Sequence, residues 1–130
     1  MLTFSASQLA QLVIRFGMGV NMLMHGLTRL PNLSGFVGKM APGFNDTVLP
    51  EPVTVAFLYV LPFLELASGL LILLGGRLLK WGYALGGLII VSLLFGTTLK
   101  QDWQTAGTQV IYLIAFYLAL RGLDDSRRVV

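Results

Sequence analysis

Between Lys80 and Lys100 the chain runs from Trp81 to Leu99 without a charged residue. A helix on the surface of a soluble domain carries a polar face, and this stretch has none. A bilayer span needs about 20 mostly apolar residues, which is the length available here. Three other segments match it. One covers about 8–30 and holds Arg15 and His25; one covers about 53–74, with Glu65 as its only charge; one covers about 103–120, uncharged between Asp102 and Arg121. Hydrocarbon offers no partner to an open backbone group, so each segment is expected to be helical. The alternating pattern of a membrane barrel strand is absent from the sequence.

Composition narrows the function classes. The chain is 55% hydrophobic and 12% charged, against about 25% charged in soluble domains. That is too little charge to cover a water-facing surface and too much apolar material for disorder. There is no cysteine, which removes disulfides, thiolate-held zinc and iron–sulfur clusters built from this chain's own residues. No basic cluster with interleaved aromatics points to nucleic acid. The first segment does not read as a signal peptide, because it lacks a basic start and places Arg15 inside its apolar run.

The expected fold is therefore all-α: an integral membrane four-helix bundle, up-down-up-down, in one domain over 1–130, with a short polar tail at 121–130. Tight turns at Arg77 to Lys80 and at Lys100 to Asp102 make neighbouring helices antiparallel. The first connection, Pro31 to Pro52, is longer. Leu33, Phe36, Val37 and Met40 in it are spaced for one face of a short surface helix; the alternative is a solvated loop. Four spans put both termini on one side, with Arg77, Lys80, Arg121, Arg127 and Arg128. The other side has Arg29, Lys39 and Lys100, offset by Asp46, Glu51 and Asp102. The basic excess places both termini in the cytoplasm, and the expected location is the inner (cytoplasmic) membrane. Trp81, Tyr83 and Trp103 fit interfacial aromatic belts.

Ionisable groups inside a span are costly, by roughly 2.5–3.5 kcal/mol, and mark function by default. Arg15, Asn21, His25 and Arg29 share one stripe of the first helix with Met18 and Met22, and that stripe should face inward. At the rise of an α-helix, Arg15 lies roughly 10 Å and Glu65 roughly 16 Å from the terminal end, so an Arg15–Glu65 pair is expected. Such a pair could simply lock the two helices together. It could also leave Glu65 exchanging protons at an internal cavity, with Arg15 setting its proton affinity. His25 has four readings: a proton relay, a partner to a quinone oxygen, a metal or haem ligand, or a histidine bonded to a neighbouring helix. Haem is the weakest, since there is one histidine and a second axial ligand would have to be a methionine. No metal and no covalently bound cofactor is expected. Thr105, Thr108, Gln109 and Tyr112 share a face of the last helix and could line a polar pocket or bond between helices. Ser68, one turn after Glu65, could solvate that carboxylate, and Pro62 could kink the helix beside it. Gly82, Gly86 and Gly87 offer a small-residue face suited to packing inside the bundle or against a partner.

These polar positions and the span layout resemble the DoxX/DoxD family of small bacterial membrane proteins. The matching stretches are Arg15-Phe16-Gly17 through His25-Gly26-Leu27-Thr28-Arg29-Leu30, and Glu65-Leu66-Ala67-Ser68-Gly69 with Leu74-Gly75-Gly76. The resemblance covers about 8–121. Arg29 stands where the family usually has lysine, so charge is kept. The resemblance implies a four-helix membrane bundle associated with redox partners. Some relatives are the membrane subunit of a thiosulfate:quinone oxidoreductase; others associate with sulfurtransferase and superoxide dismutase, or act as assembly factors. It carries Arg15, His25 and Glu65 over as the family-like polar positions.

The leading expectation is a quinone-interacting subunit of a membrane redox complex. Glu65, His25 and Arg15 would act on the quinone oxygens, and Asn21, Ser68, Gln109 and Tyr112 would add contacts. The quinone is a bound substrate, and the expected partners are the lipid bilayer, a redox or sulfur-metabolism protein and further copies of this chain. The alternative is a non-catalytic membrane scaffold or assembly subunit. A small transporter component ranks third.

Overall fold

The structure is a computed structural model that describes residues 3–127. It contains four long helices and one short one: α1 (Ala6–Arg29), α2 (Leu33–Met40), α3 (Glu51–Leu74), α4 (Leu79–Leu99) and α5 (Trp103–Arg127). No strand occurs among the described residues. The end of the expected polar tail, residues 128–130 with Arg128, lies outside them; the part before it continues α5 past Leu120.

Local chemistry sets the helix ends. The Ser5 hydroxyl accepts from Gln8 N–H and the Gln8 side chain accepts from Ser5 N–H, so α1 starts with a capping box. Asn32 accepts from Gly35 N–H at 3.1 Å and starts α2. The first connection thus folds into the short helix expected of it, followed by a helical turn at Ala41–Phe44. Pro52 sits in the first turn of α3, where its missing N–H costs nothing. Gly75 (φ 72°) and Gly76 (φ 58°) end α3 in a conformation that other residues resist. Asp102 accepts from Thr105 N–H at 3.1 Å and caps α5.

α1 packs on α3, α3 on α4, α4 on α5, and α5 back on α1. Glycines mark the closest approaches. Gly19 meets Ile72 and Leu73, Gly69 meets the Leu23 backbone, and Gly26 meets Pro62 and Leu66. On the other side of α3, Gly82 and Gly86 of α4 meet Ile72 and Ser68. The small-residue face of α4 is therefore spent inside the molecule. The core beside it holds Tyr83, Phe116 and Ile72, all essentially without exposure.

Outside, large apolar side chains are exposed on every long helix, among them Val13, Phe63, Leu88 and Ile111. α3, the segment Gly76–Leu99 that contains α4, and Trp103–Asp125 of α5 are long and apolar enough to cross a membrane. α1 falls short of that composition because it carries Arg15, Asn21, His25 and Arg29. Its apolar residues are not missing, however: Val13, Phe16, Val20 and Leu27 are exposed, at the spacing of a single outward face.

Candidate functional site

The helices converge at the end that carries the termini, where Gln11 of α1 donates to the Ala119 carbonyl of α5. Toward the other end they part around a cavity of about 890 Å³. Its walls come from the second half of α1, the first half of α3, the second half of α4 and the first half of α5. α2 and the turn after it form the roof through Phe36, Met40 and Phe44. Most of the lining is apolar. Val53, Val91 and Phe95 line the cavity and are also exposed, so it opens sideways through the apolar outer face.

The main polar cluster lies on the α1–α3 wall. Glu65 is 3% exposed, and its Oε2 accepts from Arg29 Nη1 at 2.5 Å. Arg29 Nη2 contacts His25 Nδ1 at 3.2 Å. A guanidinium has donors only, so Nδ1 can take part in this contact only as acceptor. Arg29 also lies under the Phe36 ring, 4.7 Å from its centroid. One side chain thus joins the buried carboxylate, the histidine and the roof. Across the cavity the Thr97 hydroxyl donates to Gln109 Oε1 at 2.6 Å, with Thr105, Thr108 and Tyr112 on the same wall. Lys100, also in the lining, has its Nζ 4.8 Å from the Phe44 ring centroid.

Glu65, His25, Asn21, Gln109 and Tyr112 therefore line one cavity; Arg15 and Ser68 do not. The expected Arg15–Glu65 pair is not formed. Arg15 Nε and Nη2 donate to the Ile72 and Leu73 carbonyls at 3.0 and 2.6 Å, where they satisfy free acceptors in the last turn of α3. The depth argument failed because it started both helices from one plane. The glycine contacts instead set Gly26, not Arg15, level with Glu65. α1 projects past the end of α3, and the register leaves Arg15 roughly 16 Å along the axis from Glu65 at the α-helical rise. Ser68, expected to solvate Glu65, donates to the Gly82 carbonyl of α4 at 2.9 Å.

Arg29 is the residue that sequence reasoning placed too far out. Its position one turn after His25 was visible, but its partner depended on the register. Gly19, Gly26 and Gly69 carried that signal, since glycines in helix interiors mark close backbone approach. Thr97 and the roof aromatics Phe36 and Phe44 gave no comparable signal, because they reach the cavity only through tertiary packing.

A family model described as DoxX matches residues 10–103. The chain belongs to the DoxX family. The match spans α1, the roof, α3 and α4, which supply the Arg29–Glu65 pair and Thr97; the α5 wall lies almost wholly beyond it. Comparison with curated proteins gives no match, and neither does comparison with solved structures. DoxX membership and the three apolar helices fit a multi-pass membrane protein.

Proposed function

We propose that this DoxX-family chain is the quinone-interacting subunit of a membrane redox complex similar to a thiosulfate:quinone oxidoreductase. The observation that carries the reading is a laterally open, apolar cavity with one buried carboxylate, Glu65, held by Arg29 on its wall. A quinone head needs apolar walls and donors near its oxygens. Arg29 and His25 stand on one wall and Gln109, Thr97 and Tyr112 on the other, so a flat ring with an oxygen at each end finds polar groups at both. The sideways opening suits a substrate dissolved in the bilayer.

In this reading the chain inserts as an up-down-up-down bundle of four spans. α1 turns its polar stripe inward and its apolar face to lipid, which offsets its lower hydropathy. The basic residues place both termini in the cytoplasm. Reduction of the quinone takes up two protons and two electrons. Glu65 and His25 hand on the protons. The electrons come from a reduced sulfur compound oxidised on a partner subunit, since this chain has no cysteine of its own.

The scaffold alternative is weakened by one observation. Gly82 and Gly86, the face it would offer a partner, are buried against α3 and α5. The test is quinone reduction in membranes supplied with thiosulfate, with and without the partner subunit. Glu65→Gln is expected to lower turnover about 100-fold, the lower range for loss of a general acid–base group, with folded yield retained. Absence of quinone binding in the wild type would remove the reading. Loss of folded Glu65→Gln protein would make the carboxylate structural.

A further inference from the structure

The polar groups lining the cavity are of two kinds, and one kind can tell an oxidised ring from a reduced one. A quinone oxygen only accepts hydrogen bonds, whereas a quinol hydroxyl donates and accepts. Donors in the wall therefore serve either form. Gln109 takes the Thr97 hydroxyl on Oε1, which leaves its Nε2 to donate. Tyr112 and Asn21, also in the lining, carry groups that donate or accept as required. Glu65 is different. Its Oε2 takes the bond from Arg29 Nη1 at 2.5 Å. Its Oε1 has no hydrogen-bond partner among the described residues. Yet Oε1 is not one of the sealed, unbonded side-chain atoms, which are Gln11 Oε1 and the Tyr83 hydroxyl. Oε1 therefore keeps open surface, and the space that Glu65 borders is the cavity. In the ion pair with Arg29 the side chain is a carboxylate, with acceptors only. A mostly apolar cavity thus receives one bare acceptor from a side chain that is otherwise buried. Asp102, the other carboxylate in the lining, belongs to the turn before α5 and caps that helix.

Resting on the reading of the cavity as a quinone site, we infer that it holds the reduced, dihydroxy form of its substrate more tightly than the oxidised form, and that Glu65 Oε1 makes the difference. A quinol hydroxyl donates to Oε1, while its oxygen still accepts from a donor of the same hydrogen-bonded group, which Arg29 and His25 complete. A quinone oxygen set there leaves two acceptors facing each other with no proton between them. That is how a site built for a hydroxyl rejects the analogue that lacks it. The preference bears on the direction of the reaction. Once Glu65 has handed its proton to the ring, it is the carboxylate that binds the new hydroxyl. Tighter binding of the product form draws the bound couple toward reduction. Glu65 then determines specificity for redox state, in addition to carrying a proton.

The experiment measures dissociation constants on the intact protein in lipid nanodiscs, by calorimetry without oxygen and with empty nanodiscs subtracted. The probes are a decyl-tailed benzoquinone, its quinol, and the dimethyl ether of that quinol, which keeps the ring and lacks both hydroxyl protons. The quinol is expected to bind about tenfold or more tightly than the quinone, as a hydrogen bond to a charged group contributes. The dimethyl ether is expected to bind no better than the quinone. Glu65→Gln, whose amide can donate to a quinone oxygen, is expected to bring quinone and quinol close to equal. Equal affinity of the wild type for the two forms, or a preference for the quinone, overturns the inference and leaves the quinone site standing. So does a dimethyl ether that binds as well as the quinol. An undiminished preference in folded Glu65→Gln overturns the assignment to Oε1. Binding of neither quinone nor quinol removes the reading of the cavity and this inference together. The three probes test the wild type alone, so the outcome does not depend on whether Glu65→Gln folds.

Discussion

Toward the terminal end, α3 and α4 touch through Gly82 and Gly86, and α1 and α3 through Gly19 and Gly69. Toward the roofed end α1 and α3 stay close at Gly26, but the cavity there is lined by side chains that are large or polar: Phe57, Leu58, Phe95, Thr97 and Gln109. The difference shows how one set of helices builds both a solid half and a hollow half. Glycine lets backbones close up, which fixes register. Bulkier residues hold backbones off, which leaves volume. The register set in the solid half decides which arginine meets Glu65 in the hollow half.

That comparison can be broken from either side. The largest effect is expected in the hollow half. Arg29→Met leaves the Glu65 carboxylate buried and unpaired, and should cost about 3–5 kcal/mol, read as loss of folded protein or a large fall in Tm. In the solid half, a methyl group at Gly69 would run into the Leu23 backbone, which cannot yield as a side chain can. Gly69→Ala should therefore destabilise by about 1–3 kcal/mol. Gly87→Ala is the control, since its Cβ would meet only Phe116 Cβ at an ordinary 3.7 Å; equal losses at both sites would undo the argument from close approach. The smallest effect concerns the turn at the roofed end. Hydrogen bonds from Thr105 hold the Asp102 carboxyl below the usual carboxylate range. A lowered folded value contributes stability above the unfolded value and loses it as pH falls through the folded one. Asp102→Asn should slightly flatten the fall of Tm below about pH 4, near the ordinary aspartate value; an unchanged slope would contradict that cap.

Much of this was legible in the residues. Uncharged runs with charged ends gave α4 and α5, an apolar run broken only by Glu65 gave α3, and the spacing of Leu33, Phe36, Val37 and Met40 gave α2. The polar stripe of α1 and the face formed by Thr105, Thr108, Gln109 and Tyr112 marked opposite walls of one cavity. Helical periodicity reports which way a residue faces, and these faces are inward. It does not report how far one helix is slid along another. The Arg15–Glu65 expectation failed there, while Ser68 found its acceptor in the Gly82 carbonyl of α4. The cavity itself could not be read from sequence, because it is the volume left when four helices splay.

The most direct test of the central claim is a double-mutant cycle on thermal stability, combining Glu65→Gln with Arg29→Met and, separately, with Arg15→Met. Groups in direct contact typically couple by about 0.5–3 kcal/mol, and distant ones add within about 0.5 kcal/mol. The structure predicts strong coupling between Glu65 and Arg29, with additivity between Glu65 and Arg15. Additivity with Arg29 together with coupling to Arg15 would contradict it.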